Sequence, residues 1–157
     1  MPELLDLYGS TGKLLRLATD AALRRHGLRL GQDRLLAALW AEDGRTPGDI
    51  ADAVNVTTPA VTKAATVLEK AGLLVRRPDS SDNRLVRLWL TAAGRDLREP
   101  VQAERRRLEQ QITTGLTPAE REQFVRVLAK ISNAAAGLLE MPGAGEAALP
   151  VREKRSR

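Results

Sequence analysis

The chain has no cysteine. Disulfides, cysteine-based zinc sites and thiol redox sensing are thereby excluded. It has one histidine, His26, and a lone imidazole among carboxylates at no recognisable spacing does not build a metal site. Neither a metal nor a cofactor is expected. Aromatics make up only 3% of the residues, with Trp40 and Trp89 as the two tryptophans. No apolar run approaches the ~20 residues a membrane span requires. Glu3 and Asp6 also interrupt the apolar residues at the start, so no signal-peptide pattern opens the chain. A cytoplasmic protein without a membrane partner is the expectation. Serines are few, no nucleophile stands at a meaningful spacing from a base, and no glycine-rich phosphate loop is present. The chain does not read as an enzyme.

What is present is a 157-residue chain of net charge +5. That length is enough to bury a real core in one domain with helical extensions. The surplus of cations is mild. Between Thr46 and Thr91 six cations (Lys63, Lys70, Arg76, Arg77, Arg84, Arg87) face five anions (Asp49, Asp52, Glu69, Asp79, Asp82). Placement of charge, rather than its sum, must carry any argument for nucleic acid.

The stretch Thr46 to Thr91 organises the rest. Thr46-Pro47-Gly48-Asp49 is a helix start, with a hydroxyl to cap, Pro at the first helical position and a carboxylate near the positive helix end. Ile50, Ala51 and Val54 give a short apolar face. The Thr-Pro signal then recurs at Thr58-Pro59, leaving room for two helical turns and a sharp corner. Two short helices joined by a tight turn form a helix-turn-helix. In the second helix Val61, Ala65 and Leu68 share the buried face at i, i+4 and i+7, while Thr62, Lys63 and Thr66 point elsewhere. Small hydroxyls and one cation suit a helix pressed into a DNA groove. Gly72 stands where a left-handed helix end is wanted.

Two strand-like runs follow, Leu73 to Arg77 and Arg84 to Leu90, around the turn-forming linker Pro78-Asp79-Ser80-Ser81-Asp82-Asn83. Val86, Leu88 and Leu90 alternate with Leu85, Arg87 and Trp89, so one face packs on the helices. Arg76, Arg77 and Arg84 fall near the hairpin tip. Such a hairpin projects as a wing, carrying Arg84 to a minor groove with Asp82 holding its guanidinium.

At these residues the chain resembles the MarR family of bacterial transcription regulators. The resemblance rests on Thr57-Thr58-Pro59-Ala60-Val61-Thr62-Lys63, on Leu68-Glu69-Lys70-Ala71-Gly72-Leu73, and on Asp82-Asn83-Arg84 followed by Leu90-Thr91-Ala92-Ala93-Gly94. With Gly27-Leu28-Arg29-Leu30-Gly31-Gln32 at the start of the second helix, it extends over about residues 10 to 140. The chain departs from the family at Thr66 and Val67, where an acidic and then a basic residue are frequent, and at Asn83, where a second Arg is frequent. The resemblance implies a homodimer whose recognition helices enter successive major grooves of a pseudo-palindromic operator, with wings in flanking minor grooves of the double-stranded DNA. The DNA-binding set is then Thr57, Thr58, Pro59, Ala60, Thr62, Lys63, Thr66, Arg76, Arg77, Ser80, Ser81, Asp82 and Arg84. It further implies a small aromatic or phenolic ligand between the dimerisation helices and the DNA-binding lobe, for which Arg16, His26 and Trp40 are candidate wall residues. Read from the residues alone, Trp40 is core and His26 a cation at a helix C-terminus.

The flanks read as helices. Leu4, Leu7, Tyr8, Leu14, Leu15, Ala18, Ala21 and Ala22 recur at helical spacing up to about His26, and Gly27 ends that helix. A second helix runs from about Gly31 to Glu42 with Leu35, Leu36, Leu39 and Trp40 inward, until Asp43-Gly44 breaks it. After Thr91, a plain capping residue, Leu97, Val101, Leu108 and Ile112 stripe a long helix. Pro100 predicts a bend near Asp96, because proline clashes with the carbonyl four residues back. Thr117-Pro118-Ala119-Glu120 is a capping box. The helix it opens carries Phe124, Val127, Leu128, Ile131, Ala135 and Leu138 on one side. Terminal helices with such stripes need a partner, and a second copy supplies it.

The fold class expected is mainly α with a small β-hairpin wing: a winged helix-turn-helix flanked by N- and C-terminal dimerisation helices. Residues 1-30 form the N-terminal dimerisation helix, 31-91 the DNA-binding domain, 92-141 the C-terminal dimerisation helices, and 142-157 a disordered basic tail. The function expected is a sequence-specific homodimeric regulator, a repressor released by a ligand. Two other readings share the fold: a non-specific architectural DNA binder and a winged-helix protein-interaction module.

Overall fold

The computed structural model describes residues 3–139, so the basic tail expected at 142-157 lies outside the described residues. Seven helices and one hairpin follow in the order α1 (Leu4–Arg24), α2 (Gln32–Ala41), α3 (Pro47–Val54), α4 (Thr58–Lys70), β1 (Leu74–Pro78), β2 (Val86–Leu90), α5 (Ala92–Asp96), α6 (Arg98–Ile112) and α7 (Pro118–Leu138). This is a mainly helical winged helix-turn-helix, as the sequence predicts.

Local chemistry sets most boundaries. Thr46 and Asp49 form a reciprocal capping box at α3, and Thr117 and Glu120 another at α7. The corner between α3 and α4 turns at Asn55, the one non-glycine residue with positive φ among the described residues. Its short polar side chain tolerates that left-handed geometry. The cap of α4 is Thr57, whose hydroxyl accepts from Ala60 N at 3.3 Å, and not Thr58 as the Thr-Pro repeat suggests. The strands are shifted from their expected limits. Leu73 turns before β1, while Arg84 and Leu85 stay in the wing loop because Leu85 N bonds back to Asp82 O. The helix is interrupted next to where Pro100 predicts a bend: α5 stops at Asp96, and α6 starts after Leu97.

One core lies beneath the helix-turn-helix. Leu23 and Leu28, Leu35, Leu36 and Leu39 of α2, Ile50 of α3, Val61 and Leu68 of α4, Leu74 and Leu88 of the hairpin, and Val101 of α6 are all buried in it. Arg45 adds an isolated bridge to Leu88, giving the hairpin a third edge. Trp40 packs at the margin and donates its indole N–H to Gly94 O at 2.9 Å. Gly94 sits so close to the hairpin that a Cβ there would fall 2.0 Å from Leu73 O.

The terminal helices are different. Only Ala22 and Leu23 of α1 are buried, where the helix meets α6, and α7 buries no residue. Leu4, Leu7, Tyr8 and Leu14 of α1 and Phe124 and Val127 of α7 are exposed. Their helical stripes exist as expected, but this chain alone does not cover them.

Candidate nucleic-acid interface

Helix α4 is the outer helix of the pair, and Val61, Ala65 and Leu68 fix it to the core. The opposite side is therefore turned outward by the 3.6-residue repeat. Pro59, Ala60, Thr62, Lys63 and Val67 are exposed there, and Thr66 is partly covered. Thr57 and Thr58 lie at the N-terminal end, where unsatisfied N–H groups attract anions.

Arg76 departs from its expected place. It stands in mid-strand opposite Leu88, not at the tip, and its guanidinium reaches α4. There it pairs with Glu69 and donates to Thr66 Oγ1 at 2.9 Å and Thr62 O at 3.2 Å. The residue fastens the hairpin to the recognition helix. Arg77 is exposed on the other face, opposite Arg87.

The wing loop is built on Asp79, which the sequence reading treats as no more than a turn residue. Asp79 is 7% exposed. Its Oδ2 accepts from Ser81 N at 3.0 Å, Ser81 Oγ at 2.7 Å and Asp82 N at 2.9 Å, while Oδ1 accepts from Arg87. Arg87 in turn donates to Gly44 O at 2.8 Å. The Arg87 guanidinium, followed by the Ser81 donors, holds the Asp79 carboxyl well below the usual carboxylate range. Proline followed by Asp-Ser-Ser is an Asx-turn signal that could have exposed this role. Ser81 is thus committed within the loop, although both it and Ser80 are exposed.

Arg84 is where the sequence places it. Asp82 Oδ1 accepts from its backbone N–H at 3.0 Å and from Nε at 3.1 Å, and Oδ2 from Nη2 at 3.3 Å. These contacts depress the Asp82 carboxyl, the Arg84 side chain being the first cause. The guanidinium is steered yet open, its side chain 90% exposed. An isolated surface pair adds little stability, so this geometry serves orientation more than folding.

The three candidate ligand residues do not meet. Trp40 borders a groove of ≈ 420 Å³ between α2, α3 and α6 that Asp33, Arg45, Val54 and Arg105 also line. His26 borders another, beside Leu73 and Leu97, and its Nε2 lies 3.4 Å from Glu104 Oε2. Arg16 is on α1 and lines neither of these grooves. The periodicity that places Arg16 and Trp40 on their helices, with His26 just past the end of α1, says nothing about their mutual distance. Among the described residues, no group of His, Asp and Glu is arranged to hold a metal, and no helix is long and apolar enough to cross a membrane.

Residues 28–86, from the approach to α2 through the wing, match the family model described as MarR family. The chain is 30% identical over 122 residues to the HTH-type transcriptional repressor Rv2887 of Mycobacterium tuberculosis, covering 78% of this chain and 88% of that one. It is similar in structure to MepR of S. aureus, solved as a DNA complex, with TM-score 0.76 and 28% identity over 83% of this chain and 97% of MepR. BpsR of Bordetella bronchiseptica, whose DNA binding is regulated by 6-hydroxynicotinic acid, gives TM-score 0.77 and 25% identity over 83% and 94%. With α4 and the wing arranged on that shared frame, the chain belongs to the MarR family and is a DNA-binding transcription regulator, not an enzyme.

Proposed function

We propose that the protein is a homodimeric repressor that reads a pseudo-palindromic operator in the cytoplasm. The observation that carries this is a division of the surface. A small, nearly carboxylate-free helix face and an open arginine lie on the hairpin side, while uncovered apolar stripes run along α1 and α7. The first suits a major groove and its flanking minor groove. The second suits a second copy, because exposed stripes of that length are covered in stable proteins. Residues 1-30 and 92-141 then form the dimerisation part and 31-91 the reading head. Thr57, Thr58, Pro59, Ala60, Thr62 and Lys63 meet the major groove, and Arg77, Ser80 and Arg84 the wing's phosphates and minor groove. Arg76, Thr66, Ser81 and Asp82 act by holding these in place. The similarity to a named repressor supports blocking of a promoter as the outcome.

Release by a small aromatic ligand is the matching control. The groove bordered by Trp40 and Arg105 lies between the reading head and α6, so an occupant there bears on the angle between the two parts. A ligand that favours the DNA-incompetent spacing lowers DNA affinity by its difference in affinity for the two states and no more. BpsR is regulated by one small aromatic acid.

Fluorescence anisotropy on the protein's own upstream intergenic duplex and on a scrambled duplex, across a salt series, tests the reading. A preference of ~10³-fold or more at physiological salt is expected. Equal affinity for every duplex favours the architectural binder. Absence of binding at low salt favours the protein-interaction module.

A further inference from the structure

From Thr58 to Lys70, α4 contains no arginine, asparagine or glutamine. Together with lysine, those are the side chains that pair bidentately with guanine and adenine edges in the major groove, and only Lys63 and Lys70 of the helix are of that kind. Two of the other polar side chains, Thr66 and Glu69, are committed to Arg76. Thr66 Oγ1 donates to Thr62 O at 3.0 Å and accepts from Arg76, so its single proton is unavailable to a base. Arg76, the guanidinium beside the helix, is held by Glu69 and the Thr62 carbonyl.

Beside the exposed Thr58, Thr62, Lys63 and Lys70, the outward surface of the helix carries apolar carbon. Ala60, Thr62 and Val67 are exposed, and Val67 is 48% exposed on a helix whose core face is already filled. Ala60, Lys63, Ala64 and Val67 line an apolar groove of ≈ 320 Å³ with Val56 and Leu30. The one apolar group that a base pair displays in the major groove is the C5-methyl of thymine.

We infer that this protein reads its operator through thymine methyl groups, which Ala60, Val67 and the methyl of Thr62 contact in each half-site, with Lys63 as the cation of that face. The preferred half-site is then rich in A·T pairs, with thymine at fixed positions. A·T runs beside it also narrow the minor groove and deepen its negative potential, which suits the open guanidinium of Arg84. This inference rests on the operator-reading function proposed above.

Uracil differs from thymine only by the missing methyl, which makes the test direct. Duplexes are first enriched by the full-length protein from a randomised pool, then resynthesised with deoxyuridine at each thymidine in turn. Expected are half-sites with fixed thymines, a loss of about 4-fold in affinity per contacted methyl, and loss of that sensitivity at one position in V67A. The exposed side chain of Val67 lets that variant fold. A half-site fixed at G·C pairs, or a fully uracil-substituted duplex bound as tightly as the thymine form, overturns the inference while leaving operator reading intact. A pool that yields no enrichment overturns operator reading itself.

Discussion

Asp33 of α2 and Arg105 of α6 form an ion pair across the join between the reading head and the long helix, with the Asp33 side chain 1% exposed. Asp33 Oδ1 also accepts from Gly31 N at 3.1 Å, so both oxygens have partners. Removing Arg105 leaves a buried carboxylate with one hydrogen bond. Because Arg105 is half exposed, the cost falls below that of a fully buried pair. Arg105→Met is expected to lower stability by about 1–3 kcal/mol in urea titration. The double variant with Asp33→Asn recovers part of the loss. Equal stability of the wild type and Arg105→Met would remove the pair from any structural role.

Gly94 permits the contact between α5 and the hairpin. An added methyl would meet Leu73 O at 2.0 Å and Leu90 Cδ2 at 3.2 Å, and the first of these is backbone that cannot rotate away. Gly94→Ala is expected to cost about 1–3 kcal/mol, read as a lowered thermal midpoint. An unchanged midpoint would show that α5 shifts freely on the wing.

Contacts close in sequence are the legible ones. The caps at Thr46, Thr91 and Thr117 each act within three residues, and each closes as its local sequence implies. Arg84 and Asp82 are also neighbours, and they pair as expected. The Thr57 cap is misplaced by one residue because Thr57 and Thr58 offer the same hydroxyl. Arg76 with Glu69, Arg87 with Gly44 and Arg105 with Asp33 join separate elements, so no periodicity reveals them. The same limit applies to Arg16, His26 and Trp40, whose places along the chain's helices and turns are legible and whose separation is not.

Acid should act most heavily on the wing. The Asp79 carboxyl is depressed in the folded protein by Arg87 and then by Ser81. A depressed folded value means stability that is complete above the unfolded pKa near ~4 and is lost as pH falls through the folded value. Asp82, Asp20 and Glu120 shift in the same direction. Stability is therefore expected to be insensitive to these groups from pH ~7 to ~5 and to fall progressively below pH ~4. Asp79→Asn should flatten that acid limb. Urea midpoints taken across this range check it, and an equally steep limb in the variant would assign the acid sensitivity elsewhere.

Lys63 and Arg84 should separate in their salt response. A lysine that meets phosphate contributes about 0.9 to the slope of log affinity against log salt, equally for all sequences. Lys63→Ala is expected to reduce that slope by about one and to spare the ratio of operator to scrambled affinity. Arg84→Ala should cost about 1–3 kcal/mol on the operator, with little change in unfolding, since the pair with Asp82 is open to water. Parallel losses of folding and binding in Arg84→Ala would reduce its contact to a hairpin brace.

The stripes of α1 and α7 give the final expectation. Val127 is exposed in the single chain, and α7 buries nothing against its own protomer. A carboxylate introduced there costs the protomer little. At a two-fold interface it is buried twice, once from each copy, without a counter-ion. Val127→Asp is expected to weaken self-association by ~100-fold or more in analytical ultracentrifugation, a change of ~3 kcal/mol. The buried core around Leu36, Ile50 and Leu68 is untouched, so the helical circular dichroism of the reading head should persist. Operator affinity should fall with dimer content, because one recognition helix then grips one half-site. A variant that stays dimeric at unchanged affinity would place the interface away from α7.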